Sequence, residues 1–252
     1  MARKPRLDMP GFHHVINRGV EKREVFIDDE DYTYFLELIC TGCEAFDINL
    51  HSYCLMNNHY HLLIETKKDN LSKFMRSINA KYASYFNRKN KRVGHLWQGR
   101  FKSWYVSNEA YLYILIKYIE SNPLKAKIVK DLKDYKYASY NSFIEKADSL
   151  KCAKESIMFL DFASLKDREE FFESDYDEDD LKEIAKNSNL VIASLDKKKL
   201  PVKALEKLFK NFETKIQRNE KVKEASKLGY SQSQIATVLR LSQPAIANIL
   251  KK

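Results

Sequence analysis

Met56-Asn57-Asn58-His59-Tyr60-His61-Leu62-Leu63-Ile64-Glu65 decides how the rest of this 252-residue chain is read. The two asparagines suit a tight turn, since Asn tolerates the left-handed backbone that such turns use, and they separate a strand over 49–56 from its hairpin partner over 59–66. The period of two along a strand then sets His59 and His61 on one face and Tyr60, Leu62 and Ile64 on the other. Imidazole nitrogens bind divalent metals, and an i, i+2 pair on a sheet holds two of them side by side. The pair alone is equally compatible with two surface or sheet-stabilising histidines, so the flanking chain has to decide between these readings.

Outward from the hairpin, residues 11–20 alternate as a strand ending near Gly19. Asp28-Asp29-Glu30-Asp31 places carboxylates at a helix start, where the macrodipole favours them, and Tyr32, Phe35, Leu36, Ile39 and Cys43 continue at helical spacing to Phe46. Beyond the hairpin, Leu71, Phe74, Ile78, Tyr82, Tyr85 and Phe86 predict a second helix to about Arg88. The aromatic-rich segment 95–106 reads as a strand, and a third helix runs from about Asn108 to Asn122, stopped by Pro123. The order β-α-β-β-α-β-α predicts an α+β fold, a ferredoxin-like antiparallel sheet with helices packed on one face.

The domain boundaries expected are a catalytic domain over 1–147, an acidic linker region over 148–195 and a helical segment over 196–252. The linker holds the run Glu173-Ser-Asp-Tyr-Asp-Glu-Asp-Asp180, more simply a solvated spacer or helix start than a metal site. After it, Val222, Ala225 and Leu228 end at Gly229, Ser231 to Gln234 form a capping-box start, and Ser242 can cap a last helix bearing Ile246 and Leu250. Three short helices with short turns suggest a helix-turn-helix unit for duplex DNA, with Gln243, Asn248 and Lys251 on the final helix; a generic helical tail or dimerisation hairpin is the plainer alternative.

Charge is distributed in blocks. Residues 1–150 carry 24 Lys/Arg against 18 Asp/Glu, 151–195 carry 6 against 12, and 196–252 carry 14 against 5, which favours a polyanionic partner through counterion release. Residues 67–102 hold eleven Lys/Arg and one acid. Arg100 and Lys102 are expected to face phosphates, and Trp97 and Phe101 to stack on unpaired bases. No apolar run approaches the ~20 residues that span a bilayer, and no signal-peptide core follows the start, so the expectation is a cytoplasmic protein with no membrane partner. Cys40, Cys43, Cys54 and Cys152 accordingly read as reduced, buried or half-buried thiols rather than as half of a zinc or redox site.

On the third helix, Leu112, Ile116 and Ile119 form a buried stripe, while Tyr118 and Asn122 share the adjacent one, a single turn apart. With 15 tyrosines in the chain, a core role is the default for any one of them. The ordered set His59-Tyr60-His61, Trp97-Gln98-Gly99-Arg100-Phe101 and Tyr118-Ile-Glu-Ser-Asn122-Pro123-Leu-Lys-Ala126 resembles the single-tyrosine HUH transposase family. Its nearest match there is the REP-associated tyrosine transposases, over about residues 8–145.

The resemblance implies that His59, His61 and Asn122 are metal ligands, that Tyr118 is the nucleophile and that Mg2+ or Mn2+ is the cofactor. It implies an enzyme that cleaves and rejoins single-stranded or hairpin DNA through a 5′-phosphotyrosine intermediate, in DNA transposition and recombination. Lys125 stands where the family often has an arginine, a point charge in place of a bidentate phosphate contact. Lys125 or Lys117 would be candidates to assist the phenol, which ordinarily titrates near 10. A domesticated DNA-binding regulator with an inert catalytic domain is the alternative, and a rolling-circle initiator a third, disfavoured by small size, the single nucleophile and the lack of a P-loop. Monomer and homodimer both stay open.

Overall fold

The computed structural model describes residues 7–108, 110–144, 150–174, 179, 181–182, 186, 202–210, 212, 214–228, 230 and 232–251. The chain divides into two compact units, Met1–Asn189 and Leu190–Lys252.

The first unit is built on a four-stranded antiparallel sheet of order β2-β3-β1-β4, where β1 is Gly11–Arg18, β2 Ile48–Met56, β3 His59–Thr66 and β4 Lys102–Val106. This is the ferredoxin-like order, with α1 (Asp29–Phe46) and α2 (Leu71–Lys89) as the crossovers. Helix α1 starts where its carboxylates predict: Asp28 caps it by accepting from the backbone N–H of Asp31. Both helices cover one face, where Phe35, Ile39, Phe74, Ile78 and Tyr82 pack on Val15, Tyr60, Leu62 and Ile64. The third helix, α3 (Ala110–Glu120), covers the opposite face: Leu112, Leu115, Ile116 and Ile119 pack against Cys54, Met56, Leu63 and Val106. The strand period predicted at 59–64 is therefore observed, with one face to each helical layer.

The hairpin register is as expected, Met56 opposite His59, but its physical basis differs. Neither Asn57 nor Asn58 adopts a positive φ. Their side chains and carbonyls instead tie the turn to the segment after β1: Asn57 Nδ2 donates to Glu24, Asn58 Nδ2 to the Lys22 carbonyl, and the Asn57 carbonyl accepts from Val25 and Phe26. Asparagine serves here as a hydrogen-bonding hub rather than as a left-handed residue.

Three further expectations are corrected. The last strand begins only at Lys102; residues 95–101 leave the ladder, with an isolated bridge between Trp97 and Gly19, just past β1, and the Gln98 N–H donating to the Arg18 carbonyl. Residues 150–174, read as part of a linker, belong to the first unit and pack into its core. There Met158 is fully buried among the α3-side core, and Ser156 Oγ donates to the His51 carbonyl at 2.7 Å. The acidic composition of 151–195 hides apolar Ile157, Met158, Phe159 and Phe162 that need a surface to cover. Finally, Cys40 and Cys152 form a disulfide, their Cα atoms 5.0 Å apart, while Cys43 and Cys54 are buried free thiols. The 112-residue separation of that pair leaves no local signal.

The edge strand β2 is covered. Ala138 bridges Cys54, Leu55 N–H donates to the Tyr137 carbonyl and Ser139 N–H to that of Tyr53, which satisfies donors that an open edge would expose. Most of the acidic run lies outside the described residues.

In the second unit, Val202–Leu208, Lys215–Lys227, Gln232–Leu239 and Gln243–Lys251 are helical. Leu205, Val222, Ala225, Ile235 and Ile246 form a core of their own. Ser242 accepts from the Ala245 N–H at the start of the last helix, as expected of a cap. The predicted caps at Gly229 and Ser231 lie outside the described residues. No helix among the described residues is long and apolar enough to cross a membrane.

Candidate active site

His59 and His61 sit on β3 beside Arg18 and Ile16 of β1 and Met56 and Cys54 of β2. Because α3 packs on this same face, its rim carries Tyr118 over the histidines. The Tyr118 ring lies edge-on to His61, centroids 5.8 Å apart at 80°. Asn122 follows one turn later, where Pro123 opens a short further helix, Asn122–Lys125, instead of ending helical structure. The Asn122 Nδ2 donates to the Tyr118 and Ile119 carbonyls at 2.9 and 3.2 Å, so Nδ2 is engaged and Oδ1 is the atom that could serve a ligand.

These groups line one cavity of about 440 Å³ together with Ile16, Asn17, Arg18, Gln98, Gly99, Arg100, Lys102 and Trp104. Among the described residues the lining holds three cations and no carboxylate, a field suited to a phosphodiester.

Helix α3 is anchored from below. Glu120, fully buried, accepts from Ser52 Oγ at 2.7 Å, from Ser139 Oγ and from the Tyr140 N–H at 2.8 Å. Burial pushes its carboxyl up to about 7, against these donors, which favour the charged form. Three donors converging on one carboxylate fix the rotation of α3, and with it the direction of Tyr118.

The imidazoles are held neutral. Burial, then the charge of Arg18, lowers His59 to about 4. Burial lowers His61 well below its ordinary value, with His14, His59 and Arg18 adding to the effect. Neutral imidazole is the ligand form. His59 Nδ1 lies 2.6 Å from Asn58 Oδ1, and His61 Nδ1 lies 3.0 Å from Nε2 of His14. In each ring Nδ1 is engaged, which leaves Nε2 for a ligand.

Among the described residues, no group of three His, Cys, Asp or Glu could hold a metal ion. A metal here would take two imidazoles and the Asn122 amide oxygen, with further positions for water or phosphate. Such a mixed nitrogen and oxygen set fits Mn2+, and Mg2+ less well.

The structure thus brings His59, His61, Tyr118 and Asn122 together within one chain, with Arg100 and Lys102 at the rim of the same cavity. It does not bring Trp97 and Phe101 there as stacking platforms. Phe101 is 5% exposed and belongs to the α1/α2-side core. Trp97 donates its indole N–H to the Asn79 carbonyl, with its ring against Phe35, Tyr60 and Tyr82. Having left the strand ladder, this segment tucks its aromatics inward.

Trp104, beside Tyr118, lines the cavity. The signal for it was present: Lys102, Trp104 and Val106 alternate onto the face that α3 covers. Asn17, Arg18 and His14 carried no such signal. Lys117 is turned away, donating to the Ser174 carbonyl at 2.7 Å, whereas Lys125 Nζ stands 5.0 Å from the centre of the Tyr118 ring. In the second unit Asn248 is exposed; the side chains of Gln243 and Lys251 lie outside the described residues.

No curated protein sequence matches the chain significantly. A solved structure described as a REP-associated tyrosine transposase bound to a REP hairpin is similar to it, with 18% identity and a TM-score of 0.47, covering 60% of this chain and 87% of that one. The model of the family "Transposase IS200 like" matches residues 12–122, the span from the first strand through Asn122. The domain formed by these residues is similar to the IS200-like transposases.

Proposed function

We propose that the first unit is a metal-dependent nuclease and strand transferase that cuts and rejoins single-stranded or hairpin DNA, with REP-like palindromes as its substrates. The observation that carries this reading is Tyr118 facing His61 inside the cavity that also holds His59 and Asn122.

His59, His61 and Asn122 would hold the metal, which when bound supplies Lewis-acid polarisation of the scissile phosphate. The chain's own residues do the rest. Arg18, Arg100 and Lys102 bind and orient the phosphodiester, and Trp104 offers a ring to a neighbouring base. Tyr118 Oη forms a bond to phosphorus as the bond to the 3′ oxygen breaks. The phenol proton is lost, the departing oxygen is protonated, and a 5′-phosphotyrosine and a 3′-OH result. Lys125 puts a cation beside the phenol where phenolate charge develops. The covalent intermediate keeps the phosphodiester energy, so rejoining needs no ATP.

The second unit would add duplex binding. Its last two helices are joined by the three residues 240–242, a connection of helix-turn-helix length, and Asn248 and Lys251, with Gln243, would meet bases or phosphates. A regulator that binds without cutting has no need for the paired histidines, Asn122 and Tyr118 in one cavity. The protein would act in the cytoplasm.

The test is incubation of the protein with a panel of hairpin DNAs and Mn2+, followed by denaturing gels. A covalent adduct is expected with wild type and none with Tyr118→Phe. Absence of adduct from wild type across the panel, or an undiminished adduct with the variant, would sink the reading.

A further inference from the structure

His14, on β1, contributes nothing to the cavity lining yet touches the residues that do. It is 7% exposed; its Nε2 is 3.0 Å from Nδ1 of His61, and the two rings are inclined by only 20° with centroids 5.3 Å apart. At that centroid distance the rings meet edge to edge, which directs a lone pair of one at the N–H of the other. Trp104 lies against His14 at 5.5 Å, and the Tyr118 ring stands edge-on to it at 6.0 Å.

We infer that His14 is a positioning residue: it accepts the Nδ1–H of His61 and so fixes the His61 tautomer whose Nε2 faces the cavity with a free lone pair. The inference rests on the reading of His59 and His61 as metal-holding residues. A neutral imidazole carries its proton on one nitrogen only, and a nitrogen that binds a metal must be the bare one. The other then bears hydrogen, and a buried N–H needs an acceptor. Asn58 Oδ1 serves His59 in this way, and His14 Nε2 is the group placed to serve His61. In the reverse arrangement, His14 donating to His61, the Nε2 of His61 would be protonated and closed to a metal.

The choice of histidine has an electrostatic reason. A carboxylate is the usual partner of a ligating histidine, but one buried here would add negative charge beside a cavity that receives a phosphodiester. A neutral imidazole accepts the hydrogen bond without that repulsion. Glutamine offers an acceptor of similar reach through its amide oxygen, while leucine fills the space and accepts nothing.

The experiment measures Mn2+ affinity of the DNA-free full chain by calorimetry for wild type, His14→Leu and His14→Gln, with melting temperatures alongside. His14→Leu is expected to bind Mn2+ about 10- to 100-fold more weakly, and His14→Gln to recover most of that loss. In parallel, 15N NMR of the metal-free wild type reports the His61 tautomer, which should be Nδ1–H. If wild type binds no Mn2+, the metal reading falls and takes this inference with it. If wild type binds Mn2+ and His14→Leu binds it equally, the inference alone is overturned. An Nε2–H tautomer in wild type overturns it as well, whether or not His14→Leu folds.

Discussion

Tyr118 meets His61 edge to face at 5.8 Å within a single chain, so this tyrosine and the histidine pair need no partner subunit to come together. Mixing Tyr118→Phe with a His59→Ala/His61→Ala double variant is therefore expected to give no covalent adduct, because neither chain holds a complete site. Adduct in the mixture, read on a denaturing gel, would show the tyrosine acting across subunits.

Asn122 is both a ligand candidate and a brace, since its Nδ2 bonds two carbonyls of the turn that carries Tyr118. Asn122→Ala should lower Mn2+ affinity and adduct rate on the order of 10- to 100-fold. Asn122→Asp, which keeps an oxygen ligand but loses the donor, should retain Mn2+ binding while losing rate. Chelation by EDTA should abolish the reaction in all three proteins, and calorimetry alongside the gel assay separates the two effects.

Phe101 and Trp104 should separate stability from binding. Phe101→Ala empties a core position and is expected to cost about 3 kcal/mol or more in denaturant unfolding. Trp104→Ala, at the cavity, should weaken single-stranded DNA binding by about tenfold, the equivalent of one base–aromatic stack. The opposite assignment in a paired measurement would restore Phe101 as a stacking residue.

Stability of the metal-free protein should depend on pH from two sides. The folded pKa values of His14 (about 3) and His59 (about 4) lie below the ordinary 6.5 because of burial. Their contributions are therefore full above pH 6.5 and are lost as pH falls toward those values. Glu120 is shifted the other way, up to about 7. Its contribution is full below about 4.5 and is lost as pH rises through 7, on the order of 3 kcal/mol. Glu120→Gln should remove the decline between pH 5 and pH 8 in urea midpoints, and an unchanged decline would show that Glu120 is not its source.

Cys152→Ser should lower stability by about 2–4 kcal/mol under non-reducing conditions, since the Cys40–Cys152 bridge closes a long loop. Wild type treated with reductant should match the variant in the same unfolding assay. A variant as stable as untreated wild type would mean the bridge contributes nothing.

Local periodicity in the sequence was enough to place α1, α2, α3 and the β2–β3 hairpin, to set His59 and His61 on one face of a strand, and to put Tyr118 and Asn122 one helical turn apart. Each of those relationships is encoded by residues within a few positions of one another. The tertiary structure alone decided which face of the sheet α3 covers, because an apolar stripe requires a partner surface without naming it. The same holds for the His14–His61 contact between β1 and β3, the joining of Cys40 to Cys152, and the docking of 150–174. It holds also for the burial of Phe101 and the placing of Trp104 in the cavity lining, which turn on where the ladder of β4 begins. These are contacts between distant segments, fixed by how the layers pack and close their loops, and no local pattern carries that information.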